Sequence, residues 1–103
     1  MKRNKSGLLS RRNKMLYFSI STWEPKDSEK IVEHFKELRP PANIKIINQW
    51  VDLNGGRYFM LYETDSPQAY AEFNLPWSDL CYIESSPVME SPEFIKLMVA
   101  KGM

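Results

Sequence analysis

Few side chains in this sequence have the chemistry of an acid, base, nucleophile or metal ligand. His34 is the one histidine and Cys81 the one cysteine. A structural zinc site needs four nitrogen or sulfur ligands, and a thiol nucleophile needs a base beside it. The spacing supplies neither arrangement. We therefore predict no metal and no cofactor, interpret Cys81 as a small buried residue, and leave both the catalytic residues and the question of enzyme activity open.

Glu63 is the carboxylate with the most suggestive neighbours. In an extended chain it lies on the same face as Leu61, and the pairing described below adds Trp50 to that face. A carboxylate against an apolar wall can act as a base or as a hydrogen-bond anchor for a ligand. The alternative is a strand-end glutamate that binds a backbone group or a basic neighbour.

Three tryptophans come from three different segments of the chain. An indole ring buries a large area and still offers one N–H donor, so it suits a core and a ligand cavity equally. His34 borders the apolar stripe of a predicted helix, where it is either a partly buried flank residue or a general base. The candidate ligand-binding residues are Trp23, His34, Trp50, Glu63 and Trp77.

A hairpin over residues 44–64 is the strongest structural signal. Two runs rich in β-branched and aromatic residues flank Asn54-Gly55-Gly56, a sequence typical of a tight turn with positive φ. The alternation predicts one face with Ile44, Ile46, Asn48, Trp50, Phe59, Leu61 and Glu63, and another with Ile47, Gln49, Val51, Tyr58, Met60 and Tyr62. Both faces are apolar enough to require a cover.

Turn and cap residues divide the rest of the chain into further elements. We predict a strand over 16–23 and a helix that starts at Asp27 or Ser28, stops before Pro40 and buries an apolar stripe. The stripe consists of Ile31, Val32, Phe35 and Leu38. A second helix over 67–73, an edge strand over 81–89 and a last helix from Ser91 to Gly102 complete the prediction.

The order β-α-β-β-α-β predicts an α+β protein of the ferredoxin-like type. This arrangement is a four-stranded antiparallel sheet with two helices on one face, here followed by a C-terminal helix. The uncovered face predicts a homodimer that packs sheet to sheet, a dimeric α+β barrel. We expect the interface to contain Tyr58, Met60 and Tyr62, with Phe59 and Leu61 beneath the helices.

The charge distribution separates an N-terminal arm from the body. Six basic residues and no acid fall within residues 1–14, whereas the remainder of the 103-residue chain is net acidic. We predict a basic flexible arm over 1–14, dispensable for folding, and one folded domain over 15–103. Contact with nucleic acid or an anionic surface and a transit-like role remain alternatives for the arm. The lone cysteine and the lack of a long apolar run predict a cytoplasmic protein without a membrane contact.

Several motifs resemble those of domain-of-unknown-function family 3303. They are Asn48-Gln-Trp50-Val-Asp52, Gly55-Gly56-Arg57, Glu63-Thr-Asp65, Trp77-Ser-Asp-Leu80 and Pro87-Val88. The resemblance covers Met15 to about Lys101. Members of this family often have histidine after the first tryptophan, where this chain has Val51. The family is similar to the dimeric α+β barrels, a group that includes cofactor-free quinol monooxygenases, haem-degrading proteins and stress-induced barrel proteins.

These observations favour a small dimer that binds a small hydrophobic or aromatic molecule in a tryptophan-lined cavity between sheet and helices. A cofactor-free monooxygenase or isomerase is one alternative. By analogy with the haem-binding barrels, His34 could also be an axial ligand. RNA-recognition domains share the element order, and Tyr58 and Tyr62 would project together, but the acidic body opposes phosphate binding. A structural or interaction module is the remaining alternative.

Overall fold

The computed structural model describes residues 14–102, so the predictions for the basic arm before Lys14 lie outside the described residues. The strands are β1 (Met15–Thr22), β2 (Lys45–Val51), β3 (Arg57–Thr64) and β4 (Tyr82–Val88). The helices are α1 (Ser28–Lys36), α2 (Pro67–Asn74) and α3 (Ser91–Ala100), with short 3-10 helices at Pro25–Asp27 and Leu75–Trp77. The predicted order of elements is confirmed, with bounds that shift by one to three residues.

The four strands form one antiparallel sheet in the order β2-β3-β1-β4. This is the strand order and pairing of a ferredoxin-like α+β fold, as predicted. β1 is central and pairs with both β3 and β4, whereas β2 and β4 lie at the two edges. The edge position of β4, predicted from Pro87, is therefore confirmed.

The turn between β2 and β3 has the conformation that its glycines predict. Gly55 and Gly56 have φ values of 87° and 79°, which residues with a Cβ rarely adopt. Asp52 holds the turn together, because its carboxylate accepts hydrogen bonds from the Asn54 backbone N–H at 2.8 Å and from Arg57 Nε at 3.0 Å. These two donors, the backbone N–H first, lower the pKa of Asp52.

The helices cover the face of β3 that carries Tyr58, Met60 and Tyr62. These three side chains are buried and form one core with Ala69 and Phe73 of α2. The prediction that they form a dimer interface, with Phe59 and Leu61 beneath the helices, was therefore wrong. Alternation separates the two faces, but only the side on which the α1 crossover lies decides which face is covered, and both faces here are apolar.

A β-bulge in β2 moves the start of this strand to the covered face. Ile46 pairs with Tyr62 and Asn48 pairs with Leu61, so one extra residue, Ile47, interrupts the alternation. Ile44 is buried and Ile46 packs against the core, whereas Trp50 stays on the opposite face beside Phe59. The prediction that Ile44 and Ile46 share a face with Trp50 was wrong for this reason.

The opposite side of the sheet, here named the open face, has no helix of residues 14–102 over it. Its apolar members are Leu16, Phe18, Ile20, Trp50, Phe59 and Leu61. The ring of Phe18 lies 6.2 Å from that of Phe59 and 6.1 Å from that of Trp50, measured between centroids. The Arg57 guanidinium lies 5.4 Å from the Phe59 ring centre, so the aromatic cluster ends at a charged residue.

The helices differ in how much of their surface the chain buries. α1 buries Ile31, but Val32, predicted to belong to the same stripe, is exposed. α2 starts as predicted, because Ser66 Oγ accepts a hydrogen bond from the Ala69 N–H at 3.0 Å. α3 ends at Ala100, and Gly102, with φ of 77°, follows its C-cap as the predicted stop; the helix buries none of its residues. In the part of the chain that is described, no helix combines the length and apolarity needed to cross a bilayer.

Candidate functional site

A cavity of about 30 Å³ lies between the sheet and the two helices that cover it. Three strands, β1, β3 and β4, and the helices α1 and α2 contribute to it, and its surface is mostly apolar. The lining residues are Ser19, Ser21, Trp23, Ile31, Phe35, Leu38, Tyr58, Met60, Phe73, Asn74, Trp77, Cys81 and Ile83. A space of this size holds about two water molecules.

The cavity exists because β1 presents small side chains to the helices. Ser19 and Ser21 lie on the covered face, and Phe18 and Ile20 lie on the open face. Ser19 is 6% exposed, although a buried position in a central strand is usually filled by a large apolar side chain. Over residues 18–21, β1 therefore directs its serines towards the helices and its large apolar side chains away from them.

Phe35 and Trp77 form the wall that faces the sheet, where Tyr58 is paired with Ser21. The Phe35 ring lies 4.4 Å from Tyr58 and 5.1 Å from Trp77, measured between centroids. Trp77 belongs to the three-residue 3-10 helix after α2, an element with little structure of its own. Trp23 is fixed at the other end of the cavity, since its Nε1 donates a hydrogen bond to Ser28 Oγ at 3.2 Å.

The two titratable groups in the lining are both held in their neutral forms. Burial raises the pKa of the Tyr58 hydroxyl, which donates a hydrogen bond to Gln49 Oε1. Burial also raises the pKa of the Cys81 thiol, a shift that the hydrogen bond from Ser21 only partly opposes. Cys81 Sγ lies 3.6 Å from the Trp77 carbonyl oxygen, to which it donates. The thiol is thus a poor nucleophile at neutral pH.

Of the residues that the structure describes, those lining the cavity include no carboxylate, histidine, lysine or arginine. Nor do the described residues contain a cluster of three histidine, cysteine, aspartate or glutamate side chains able to hold a metal ion. The cavity can offer a guest apolar contact, aromatic faces and hydroxyl hydrogen bonds. It is therefore suited to a small neutral molecule, whereas acid–base chemistry would need a group from elsewhere.

A buried tyrosine network adjoins the cavity and was not predicted. Tyr62 is fully buried, and its hydroxyl lies 3.3 Å from both Asn74 Nδ2 and Ser85 Oγ. Its ring stacks on Tyr17 at a centroid distance of 5.6 Å. Burial raises the pKa of Tyr62, and the hydrogen bonds from Asn74 and Ser85 oppose that shift. Because Asn74 also lines the cavity, this network fixes one of its polar groups.

Two of the five candidate residues, Trp23 and Trp77, line the cavity. His34 contacts the edge of the Trp77 ring at a centroid distance of 5.1 Å, but it lies on the outer side of that ring, in a surface groove with Arg39. It can support the position of Trp77 without touching a guest. The sequence had marked the three residues separately, and the fold brings them together.

Trp50 and Glu63 lie on the open face, on the other side of the sheet. The prediction that they face the space under the first helix was wrong, because the helices cover the other face of β3, which carries Tyr58, Met60 and Tyr62. Lys14 Nζ lies 3.9 Å from Glu63 Oε2, so this glutamate has a basic neighbour, which is the alternative weighed for it above. Tyr58 and Tyr62 also point beneath the helices, where they cannot stack on the bases of an RNA.

The residues that sequence reasoning missed are Ser19, Ser21, Phe35 and Asn74. One signal for the serines was present, because large apolar residues and serine alternate over residues 18–21 of β1. The alternation separates the two faces of the strand but does not indicate which of them the helices cover. No pattern in the sequence marked Asn74, because its role depends on Tyr62, twelve residues earlier and on another element.

The fold and the cavity define the class of protein: a small ferredoxin-like α+β domain with one face of its sheet open. The chain matches the family model described as a domain of unknown function, DUF3303, over residues 15–102, and it therefore belongs to that family. The resemblance found in its motifs is confirmed, and the wider grouping with dimeric α+β barrels stays a prediction. No curated protein and no solved structure matches the chain.

Proposed function

We propose that this protein binds a small neutral aromatic or hydrophobic molecule in the cavity between its sheet and helices, and that it does so as a homodimer. The observation that carries the binding proposal is the composition of the cavity. Aromatic side chains form one wall, and Ser19 and Ser21 lie opposite, within an otherwise apolar lining. Small-molecule sites typically combine an apolar surface with a few placed polar groups.

Binding requires the cavity to expand. Its volume of about 30 Å³ is several times smaller than the engineered cavity of about 150 Å³ that takes up benzene. Trp77 is the wall residue best placed to move, since it lies on a short 3-10 helix and is half-buried. Rotation of this indole away from Phe35 would extend the cavity towards the surface groove that contains His34.

Phenol and toluene are suitable probes, because they share a ring and differ in one hydroxyl group. We expect phenol to bind more tightly than toluene, because Ser19 or Ser21 can accept its hydrogen bond. Ser19→Val should fill the cavity and weaken phenol binding at least tenfold, about 1.4 kcal/mol. Ligand-observed NMR titration measures both affinities.

Ser86→Val provides the matched control. It makes the same change of side chain on the adjacent strand, at an exposed position opposite Phe18 on the open face. This variant should bind phenol as the wild type does. Equal phenol affinity of Ser19→Val and Ser86→Val would refute a site in this cavity. The site would also be refuted if the wild-type protein bound neither probe and native mass spectrometry found no other ligand bound to it.

The homodimer proposal is supported by the open face. β1 directs Leu16, Phe18 and Ile20 away from its own helices, and Phe59 and Trp50 extend this apolar surface across β3 and β2. A contiguous apolar patch of this kind on a small protein usually marks an interaction surface. A second copy of the chain brings an identical patch, so a two-fold contact covers both at once.

Sedimentation velocity tests this second half of the proposal. Wild-type protein should sediment as a dimer at micromolar concentration, and Phe18→Glu should dissociate it, because a charge would be buried between two apolar faces. Val32→Glu is the control, since Val32 is an exposed apolar residue on the outer side of α1. A wild-type monomer, or equal effects of the two variants, would contradict pairing through the open face.

The open face also presents Phe18 and Phe59 beside Arg57, an arrangement that can stack nucleic-acid bases. Fluorescence titration with single-stranded polyuridine distinguishes this alternative. Binding that Phe18→Glu abolishes, in a protein that sediments as a monomer, would favour nucleic acid over a second copy. The glutamates Glu63 and Glu84 on the same face argue for the protein partner.

A further inference from the structure

α3 carries an apolar stripe that the described residues, 14–102, leave uncovered. Phe94, Ile95, Leu97, Met98 and Val99 occupy one broad side of the helix. Phe94 is 51%, Ile95 57% and Val99 69% exposed. Glu93 and Lys96 lie on the other side of the helix, three residues apart. The stripe therefore has the pattern of a helix that packs on an apolar surface with a charged side in water.

A helix of this length does not persist alone in water. α3 has ten residues, and isolated helices shorter than about 12 residues are marginal even when every residue favours the helix. It also includes the β-branched Ile95 and Val99, which lower that tendency further. Packing against something outside the described chain would supply the stability that α3 lacks.

We propose that α3 is an arm between subunits, whose apolar stripe packs on a second copy of this chain at the rim of that copy's open face. This inference rests on the homodimer proposed above and adds a second contact to it. Each subunit would both donate α3 and receive the α3 of its partner.

The first support for a second copy is the continuity of the apolar surface. Val88, the last residue of β4, pairs with Leu16 of the open face. Val88 and Met89 are exposed, and α3 begins two residues after Met89. The apolar surface thus runs from the open face along the end of β4 into α3. A partner that covers the open face already lies next to the start of this helix.

The second support is the area that a stable dimer requires. Four strands about 4.8 Å apart and about 25 Å long give the open face a footprint of roughly 500 Å². Stable interfaces bury roughly 800 Å² on each partner. The stripe of α3, about 15 Å long, provides additional apolar surface of the required kind.

The charges of α3 argue against a membrane surface as the occupant. Helices that lie on anionic lipid have a polar side rich in lysine and arginine. The polar side of α3 carries one acid and one base, Glu93 and Lys96, so it has no net attraction for such a surface. The open face of the same chain is not the occupant either, because α3 would then be buried there.

Paramagnetic relaxation between two differently labelled chains provides the direct test. One chain carries Cys81→Ala and Lys96→Cys with a nitroxide label, and the other is wild type, labelled with ¹⁵N and free of nitroxide. Lys96 lies away from the stripe, so the label should not disturb packing. We expect broadening of ¹⁵N signals at the rim of the open face, including Leu16 or Tyr82. Absence of broadening between chains would overturn the arm.

Phe94→Glu and Lys96→Glu form the matched pair for sedimentation equilibrium. Phe94→Glu should raise the dissociation constant of the dimer at least tenfold, and Lys96→Glu should change it less than twofold. The two variants are expected to unfold like the wild type at concentrations where all are monomeric, because the chain buries neither residue.

The outcomes separate this inference from the homodimer proposal. If Phe18→Glu dissociates the dimer and Phe94→Glu does not, the homodimer stands and the arm is refuted. If the wild-type protein is a monomer, both fail. If Phe94→Glu leaves sedimentation unchanged but abolishes binding to phosphatidylcholine–phosphatidylglycerol vesicles, α3 is a membrane contact and the inference is wrong.

Discussion

The two faces of the sheet are similarly apolar, but helices of the described chain cover only one of them. On β3, Tyr58, Met60 and Tyr62 alternate with Phe59 and Leu61, so the two sets share one strand. The first set is buried under α1 and α2, and the second set lies on the open face. Apolar composition thus indicates that a face needs a cover, but the connections between strands decide whether that cover comes from the same chain.

The largest expected contrast is between truncation of Tyr62 and of Phe59. Tyr62→Ala should lower the free energy of unfolding by about 3–5 kcal/mol, because it removes a fully buried ring and two hydrogen bonds. Phe59→Ala should cost the monomer clearly less. Urea denaturation at a protein concentration where the chain is monomeric measures the free energy of unfolding of both variants. Equal losses would mean that the two faces are equally well covered within one chain.

A smaller effect is expected from Trp50→Ala. Trp50 is 43% exposed, so its loss should destabilise the monomer by about 1 kcal/mol, below the range typical of a close-packed tryptophan. The same variant should weaken self-association, because the indole belongs to the open face. A loss above about 3 kcal/mol in dilute urea denaturation would place this side chain in a monomer core.

The reactivity of Cys81 measures how closed the covered face is. Because burial raises the pKa of this thiol, the thiolate population should increase only above the range of a free cysteine, about pH 8.5. The rate of alkylation by iodoacetamide should therefore be low at pH 7 and should rise at a higher pH than the rate for a free cysteine does. Phenol should slow it further if it occupies the cavity. A rate equal to that of free cysteine at pH 7 would indicate an open site.

The smallest effect concerns Asp52, in the turn that joins β2 to β3. Its pKa is lowered in the folded protein, so its stabilising effect is complete above the unfolded value and is lost as the pH falls below about 4. Asp52→Asn should lower the thermal midpoint slightly at pH 7. At pH 3 the difference in thermal midpoint between the variant and the wild type should be smaller. An unchanged difference at the two pH values would show that the charge of Asp52 is unimportant to the turn.

The elements, their order and the positive φ of the two glycines in the turn could be predicted from the sequence, because each of these features depends on neighbours in the chain. Ser66 and Gly102 act on the backbone next to them, at the start of α2 and just after the end of α3, whereas α1 ends at Lys36, before the chain reaches Pro40. Which face of β3 the helices cover could not be predicted from neighbouring residues. Tyr58 and Phe59 are equally good core residues, and the choice between them depends on the position of α1, an element that lies earlier in the chain.

The candidate site was predicted in part. Trp23 and Trp77 stood out as large side chains on separate elements, and both line the cavity. Trp50 was assigned to the same site because alternation was extended through β2 and β3 without knowledge of which face is covered. The bulge at Ile47 added a second error for Ile44 and Ile46. A single extra residue has no signature in a run of aliphatic residues.

The strand order also bears on the way the chain reaches its fold. β1 is synthesised first, yet it lies in the middle of the sheet, and its neighbours β3 and β4 come later in the chain. Leu16 pairs with Glu63 on one side and with Val88 on the other, so the sheet closes only through contacts distant in sequence. Such contacts slow folding. Until β4 pairs with it, β1 has one unpaired edge beside the apolar side chains of Phe18 and Ile20, and an edge of this kind favours association between partly folded chains.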